Sequence, residues 1–138
     1  ISPSPRGAKQ FARPFTLDEH ALHWERIFGR LRGLVDVVAF QDGQVEYREL
    51  PAYLRTNAEL ARAHGIASWS NVESFDRDVH LKFPPIAWPK LRHKLEAARA
   101  AGVDKLITFE FSHFMSPHSM FPSAAGLHRM YMDWRGEG

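Results

Sequence analysis

The sequence predicts an α/β fold of the (β/α) TIM-barrel type, and two observations indicate it. Three times a helical stretch ends at a glycine and an apolar, strand-like run follows at once, at Gly33, Gly65 and Gly102. Each run then leads into polar side chains, as in repeated βα units that gather functional groups at the carboxyl ends of parallel strands. We therefore expect the function of this chain to lie at three strand ends.

A chain of 138 residues is long enough for one domain with its own core. Three or four parallel strands leave two bare sheet edges, which favour pairing with another chain. Three arrangements fit: half of a (β/α)8 barrel, a half barrel that pairs with a second copy, and a small open sheet. Ile1–Pro5 is typical of the tail of a strand or of a loop, and the chain begins at Ile1 rather than at a methionine, so we expect the first arrangement. Residues 1–138 would then be a single domain, the C-terminal half of a barrel, covering about the last four βα units and completed by an N-terminal half.

The individual elements follow from capping and periodicity. Thr16 and Glu19 form a capping box that opens the first helix, and apolar residues then recur at spacings of three and four. The run after Gly33 is nearly all apolar, which predicts a strand covered on both faces. The predicted strands are 34–40, 66–72 and 103–109; the further helices are 47–64, 89–102 and one around 127–134; the longer loops are 74–89 and 112–122.

Composition excludes several classes of partner and chemistry. The net charge is +2 and the arginines are scattered, so we expect no nucleic-acid surface. No stretch approaches the roughly 18 apolar residues of a membrane span, so we expect no membrane partner. The chain has no cysteine, which rules out disulfides and thiolate chemistry. No HExxH, P-loop or GxGxxG pattern is present, and we expect no cofactor and no bound metal.

Glu73 is the first candidate catalytic residue. It closes the second strand, and the alternation of side chains places Trp69, Asn71 and Glu73 on one side of that strand. An aromatic ring, an amide and a carboxylate that face the same way are typical of a sugar subsite. The alternative is an exposed glutamate that caps the following loop.

Glu110 is the second candidate, at the end of the third strand between Phe109 and Phe111. We expect the two aromatic rings to desolvate its carboxyl group and raise its pKa, which suits a general acid. The alternative is a structural glutamate bonded to nearby backbone or to an arginine. Two carboxyl groups at neighbouring strand ends are what glycoside hydrolysis requires, although many barrels display such a pair.

Four further residues are candidates for substrate binding. Gln41 and Asp42 follow the first strand; Asp42 either orients substrate or water, or is only the aspartate of an Asp-Gly turn. His113 lies near Glu110 and could act as a base or as a ligand for a hydroxyl group or a metal, although a loop histidine is more often none of these. Trp88, together with Trp69, is a candidate platform for sugar rings.

Three longer motifs resemble those of a family of bacterial TIM-barrel domains catalogued as a domain of unknown function and regarded as glycoside-hydrolase-like. They are Val38–Gly43, Trp69–Phe75 with the downstream Lys82–Ile86, and Asp104–Pro117. The resemblance implies a carbohydrate substrate and a secreted or periplasmic location. The site positions that it implies are Gln41, Asp42, Asn71, Glu73, Glu110 and His113.

Three functions remain open on the sequence. The first is a carbohydrate-active hydrolase that cleaves a glycosidic bond with Glu73 and Glu110. The second is a metal-dependent sugar isomerase or lyase, in which Asp42, Glu73, Glu110 and His113 form an oxygen-rich site with one imidazole. The third is a glycan-binding barrel fragment without catalytic activity.

Overall fold

The structure is a computed structural model that describes residues 15–43 and 45–136. Helices and strands alternate along this part of the chain, which confirms the predicted α/β class. The elements are α1 (Leu17–Leu31), β1 (Val37–Gln41), α2 (Leu50–Ala63), β2 (Ala67–Glu73), α3 (Trp88–Ala100), β3 (Lys105–Phe109), α4 (Phe111–Phe114) and α5 (Pro122–Arg135). The segment Ile1–Pro5, predicted to be a strand tail or a loop, lies outside the described residues.

The three strands form one parallel sheet in the order β1-β2-β3. Asn71, on the central strand, pairs with Gln41 on one side and with Ile107 on the other, and Glu73 pairs with Phe109. Parallel neighbours that follow one another in the chain are joined by crossovers of the same hand. Their helices therefore pack as one layer, in which α2 contacts α1, α3 and the sheet.

The helix ends confirm the sequence signals that predicted them. Gly33, Gly65 and Gly102 adopt φ values of 74°, 71° and 71°, the left-handed conformation that glycine accepts without a side-chain clash. At the start of α1, Thr16 Oγ1 accepts a hydrogen bond from the Glu19 backbone N–H at 3.2 Å, and Glu19 Oε2 accepts one from Thr16 N–H at 2.9 Å. The predicted capping box is therefore present in full.

The structure corrects two of the predicted boundaries. The second helix begins at Leu50 rather than near residue 47, and its proline lies in the first turn, where the missing N–H costs no hydrogen bond. The loop predicted over 112–122 starts instead with the short helix α4. The Glu110 side chain accepts a hydrogen bond from the His113 N–H and so caps one helical turn, a role that Ser, Thr, Asp and Asn perform more often.

The two faces of the sheet differ in burial. Phe40, Ser70 and Val72 point towards the helices and are fully buried. On the opposite face of β1, Val37 and Ala39 are exposed. The expectation that this strand is covered on both faces is therefore wrong for the part of the chain that the structure describes, and the open face is the one that carries Trp69 and Asn71.

The core between the helices and the sheet holds α1 against β1. Trp24 and Phe28 of α1, Phe40 of β1, Ala61 of α2 and Ile66 form one buried cluster. The Phe40 ring lies 6.2 Å from both the Trp24 and the Phe28 ring, at edge-on angles. This packing fixes the strand that ends at the candidate site. Within the described ranges, no helix is both long and apolar enough to cross a membrane.

Candidate functional site at the strand ends

Hydrogen bonds join the carboxyl ends of the three strands. The Glu73 N–H, at the end of β2, donates to Asp42 Oδ1 at 3.1 Å, just beyond β1. The next residue, Ser74, donates from its backbone N–H and its hydroxyl to the Phe109 carbonyl of β3, at 2.9 and 2.6 Å. Asp42 and Glu73 are therefore direct neighbours, and Glu110 follows β3 at the same edge of the sheet.

The Glu73 carboxylate is buried and held in one orientation. The side chain of Arg77, four residues further along in the following loop, donates from Nε to Oε2 at 3.0 Å and from Nη2 to Oε1 at 2.5 Å, which makes a bidentate pair. A Cβ atom on Gly43 would lie 2.0 Å from Glu73 Oε1, so the carboxylate occupies space that only a glycine leaves free. Glu73 is 5% exposed and does not act as an exposed loop cap.

Asp42 forms a buried ion pair with Lys94 of α3. Lys94 Nζ lies 3.4 Å from Asp42 Oδ1 and 3.3 Å from the Glu73 carbonyl oxygen. Burial raises the pKa of Asp42, and the neighbouring Lys94 ammonium opposes that rise. Asp42 Oδ2 is buried and has no hydrogen-bond partner among the described residues. The Asp42 carbonyl also accepts the turn hydrogen bond from Val45 N–H, so the residue takes part in a turn as well.

Glu110 is more accessible than the sequence predicts. Its side chain is 36% exposed, and Phe109 and Phe111 are themselves about half exposed. The expected desolvation by two flanking rings is therefore not found in the described part of the chain. Glu110 Oε1 accepts the His113 backbone N–H at 3.1 Å and also contacts His113 Nδ1, which brings these two candidate residues into one pair.

Of the remaining candidates, Trp69, Asn71 and Gln41 lie on or at the edge of the sheet, and Trp88 does not. Trp69 and Asn71 lie on the open face of the sheet, where Lys105 Nζ lies 4.7 Å from the centre of the Trp69 ring. The backbone of Gln41 is fixed at the edge, because its carbonyl accepts a hydrogen bond from the Tyr53 hydroxyl at 3.3 Å. Trp88 does not join the strand-end group. Its ring packs 6.3 Å from Trp134 in the helix layer, which does not favour a role as a sugar platform.

Three residues at this edge were missed by the sequence reasoning: Gly43, Arg77 and Lys94. Lys94 had a readable signal, since it lies three residues after Leu91 and four before Ala98, on the apolar stripe of its helix. Arg77 follows Glu73 at a spacing of four, but in a loop that spacing does not predict a contact. At Gly43 the Asp-Gly pair predicts only a turn.

An aromatic group next to the Glu73–Arg77 pair was also missed. The Phe75 ring lies 5.6 Å from Phe83 and 6.0 Å from Phe109, and the Arg77 guanidinium lies 5.7 Å from the centre of the Phe75 ring. Phe83 and Phe109 are partly exposed. These two rings therefore supply the apolar surface near the strand ends that had been expected from Trp88.

Residues 15–43 and 45–136 contain no group of three His, Asp or Glu side chains placed to hold a metal ion. Asp42, Glu73, Glu110 and His113 consequently do not gather into the oxygen-rich cluster that the isomerase hypothesis requires. Instead, Glu73 forms an ion pair with Arg77, and Asp42 forms one with Lys94.

Comparison with known proteins places the chain in a family. Residues 2–121 match the family described as Domain of unknown function (DUF4434). The chain belongs to this family. Its description, like that of the family which the sequence motifs resemble, is a domain of unknown function and states no activity.

A solved structure that is similar over most of the chain has a stated activity in its description. It is the crystal structure of a "putative alpha-L-fucosidase" from Bacteroides thetaiotaomicron, with 46% sequence identity and a TM-score of 0.86. The match covers 91% of this DUF4434 chain and 39% of that protein, so the chain spans well under half the length of the relative. A search of curated proteins found no match.

Proposed function

We propose that this DUF4434 chain contributes carboxylates to the active site of a carbohydrate-active hydrolase that cleaves a glycosidic bond. One observation carries the proposal: in-register parallel strands bring Asp42, Glu73 and Glu110 to one edge of the sheet, where the Glu73 backbone N–H donates to the Asp42 carboxylate. Paired carboxyl groups at such an edge can protonate a leaving oxygen and attack the anomeric carbon or activate water. The similarity to the "putative alpha-L-fucosidase" supports the same class of substrate.

We also propose that the sheet is an arc of a (β/α)8 barrel, with residues 1–138 as its C-terminal half. The sequential parallel order β1-β2-β3 with the helices in one layer is the arrangement found in such barrels. The match to 39% of the similar solved structure fits a chain that supplies part of a larger domain. The open face with Trp69 and Asn71 would then face the barrel interior.

The surroundings of the two glutamates suggest different roles. Glu73, fixed by Arg77 and enclosed over Gly43, suits a carboxylate that acts as the nucleophile or the base. Glu110 is partly exposed and pairs with His113, so a substrate oxygen can reach it, which suits the acid or its partner. Gln41, Asn71 and Trp69 would bind the hydroxyls and ring of the sugar, with His113 and Asp42 beside the reacting bond.

A second candidate function is favoured by a specific observation. Arg77 and Lys94 already neutralise the carboxylates of Glu73 and Asp42, as they would in a purely structural network. In that case the strand-end edge binds a glycan without cleaving it. The ligand would still be a carbohydrate, but the protein would catalyse no reaction on it.

Glycoside hydrolysis by the full-length protein separates the two functions. The wild type, Glu73→Gln and Glu110→Gln are compared on a panel of aryl glycosides that includes an α-L-fucoside. Each substitution is expected to lower kcat by about a hundredfold or more, the range for the loss of a positioned acid, base or nucleophile. Glu96→Gln is the matched control, because Glu96 forms an exposed pair with Arg92 at the same spacing of four residues.

The proposed hydrolase is contradicted if Glu73→Gln and Glu110→Gln both retain the activity of Glu96→Gln on every cleaved substrate. Binding of a panel sugar without turnover by the wild type supports the second candidate instead. Circular dichroism of each variant checks that a lost activity does not reflect a lost fold.

A further inference from the structure

Lys94 is an unusual residue for its position, because a lysine is rarely this buried unless it is paired. It is 6% exposed, on the face of α3 that also carries Leu91 and Leu95. Its partner, Asp42, is 2% exposed. A buried ion pair of this kind adds little stability over apolar residues of the same size, so its presence at the strand ends calls for another explanation.

The Asp42–Lys94 pair contacts the backbone of Glu73, which offers such an explanation. The Glu73 N–H donates to Asp42 Oδ1 at 3.1 Å, the same oxygen lies 3.4 Å from Lys94 Nζ, and Nζ lies 3.3 Å from the Glu73 carbonyl oxygen. These three contacts close a ring around a single residue. The ion pair therefore holds both polar groups of the Glu73 backbone, while Arg77 holds its carboxylate.

The pair also links three separate elements at this point. Asp42 follows β1, Glu73 ends β2, and Lys94 lies in the middle of α3. A displacement of either charged group would move the Glu73 main chain and, with it, the carboxylate that sits over Gly43. Reacting groups misplaced by about 1 Å lose on the order of a hundredfold in rate, so such a clamp has a functional consequence.

We propose that Lys94 is a positioning residue, which acts with Asp42 to hold the Glu73 backbone and so aims its carboxylate at the substrate. This inference rests on the proposed function of Glu73. It changes the expected role of Asp42, whose Oδ1 is occupied by the clamp. Only the buried Oδ2, which has no hydrogen-bond partner among the described residues, remains for another contact.

The test compares three variants of the full-length protein with the wild type. Lys94→Met removes the ammonium and keeps the length of the apolar stem. Lys94→Met combined with Asp42→Asn also removes the uncompensated buried charge, and the asparagine oxygen can still accept the Glu73 N–H. Lys90→Met is the matched control: Lys90 lies one turn earlier on α3 and pairs with Asp76 at 2.9 Å in a partly exposed position.

Positioning predicts that Lys94→Met lowers kcat by about ten- to a hundredfold on a cleaved glycoside, with KM changed less than about threefold. The double variant is expected to regain the melting temperature that Lys94→Met loses, but not the kcat. Lys90→Met is expected to keep kcat within about twofold, as a surface pair should. Recovery of both melting temperature and kcat in the double variant would show a purely structural pair and overturn the proposal.

A crystal structure of the double variant gives a readout that needs no activity. The proposal predicts that the Glu73 backbone shifts and that its carboxylate leaves the bidentate contact with Arg77. Glu73 in its original place would overturn the inference, even if the protein is an active hydrolase. A shifted Glu73 in a protein that cleaves no panel substrate would support the clamp and contradict only the proposed function.

Discussion

Replacing Gly43 by alanine is expected to displace the Glu73 carboxylate and to lower the activity of the full-length protein by about a hundredfold. The new methyl group would lie 2.0 Å from Oε1 and 2.1 Å from Oε2, where no two atoms can remain. Because the obstructing atoms are the end of a flexible side chain, we expect the carboxylate to move away from Arg77, which loses that ion pair but leaves the strands in place. Hydrolysis assays measure the loss of activity, and thermal unfolding checks that the fold is retained.

Gly126→Ala is the matched control for that substitution. A Cβ atom at Gly126 meets no heavy atom within 4 Å, and the residue lies inside α5. Alanine is expected to leave activity unchanged and to stabilise the protein by up to about 1 kcal/mol, the difference in helix propensity. Full activity in Gly43→Ala would mean that the Glu73 carboxylate does not need its present position over that glycine.

Replacing Phe28 by alanine is expected to reduce the free energy of unfolding by about 3–5 kcal/mol, the range for a buried phenylalanine that leaves a cavity. Phe28 has no exposed surface and packs within 5.0 Å of the Trp24 ring and 6.2 Å of the Phe40 ring, measured between centroids. The loss would loosen α1 from β1, the strand that leads to Asp42. Urea unfolding of the full-length protein measures the change.

Leu22→Ala, on the same helix, provides the comparison. Leu22 is 56% exposed, so its truncation is expected to change the free energy of unfolding by no more than about 0.5 kcal/mol. Equal effects of the two substitutions would contradict the packing of α1 onto the sheet. A loss in Phe28→Ala alone supports it.

Much of the fold could be predicted because its signals are local. Glycine in the left-handed conformation is a common end of a helix, and the three positions Gly33, Gly65 and Gly102 set the limits of the repeated units. The capping box of α1 involves only Thr16 and Glu19. By contrast, the short helix α4 begins with a glutamate cap, which the usual preference for smaller polar residues does not indicate.

The sequence predicts which strand ends carry the candidate residues, but not the hydrogen bonds and ion pairs that these residues form. Strand alternation located Glu73, and the strand end located Glu110. The ion pair of Asp42 with Lys94 joins residues far apart in the chain, so only the folded structure reveals it. The burial of Glu110 was overestimated because two neighbouring phenylalanines in the sequence do not fix where their rings point.

The position of a bound sugar is the sharpest test of whether Glu73 and Glu110 act on a glycosidic bond. The measurement is a crystal structure of the full-length Glu110→Gln variant with the glycoside that the wild type cleaves fastest. We expect the anomeric carbon to lie against the Glu73 carboxylate, with residue 110 on the scissile oxygen and a carboxyl-to-carboxamide separation of about 5–9.5 Å. A sugar bound away from the ends of β1, β2 and β3 would contradict it.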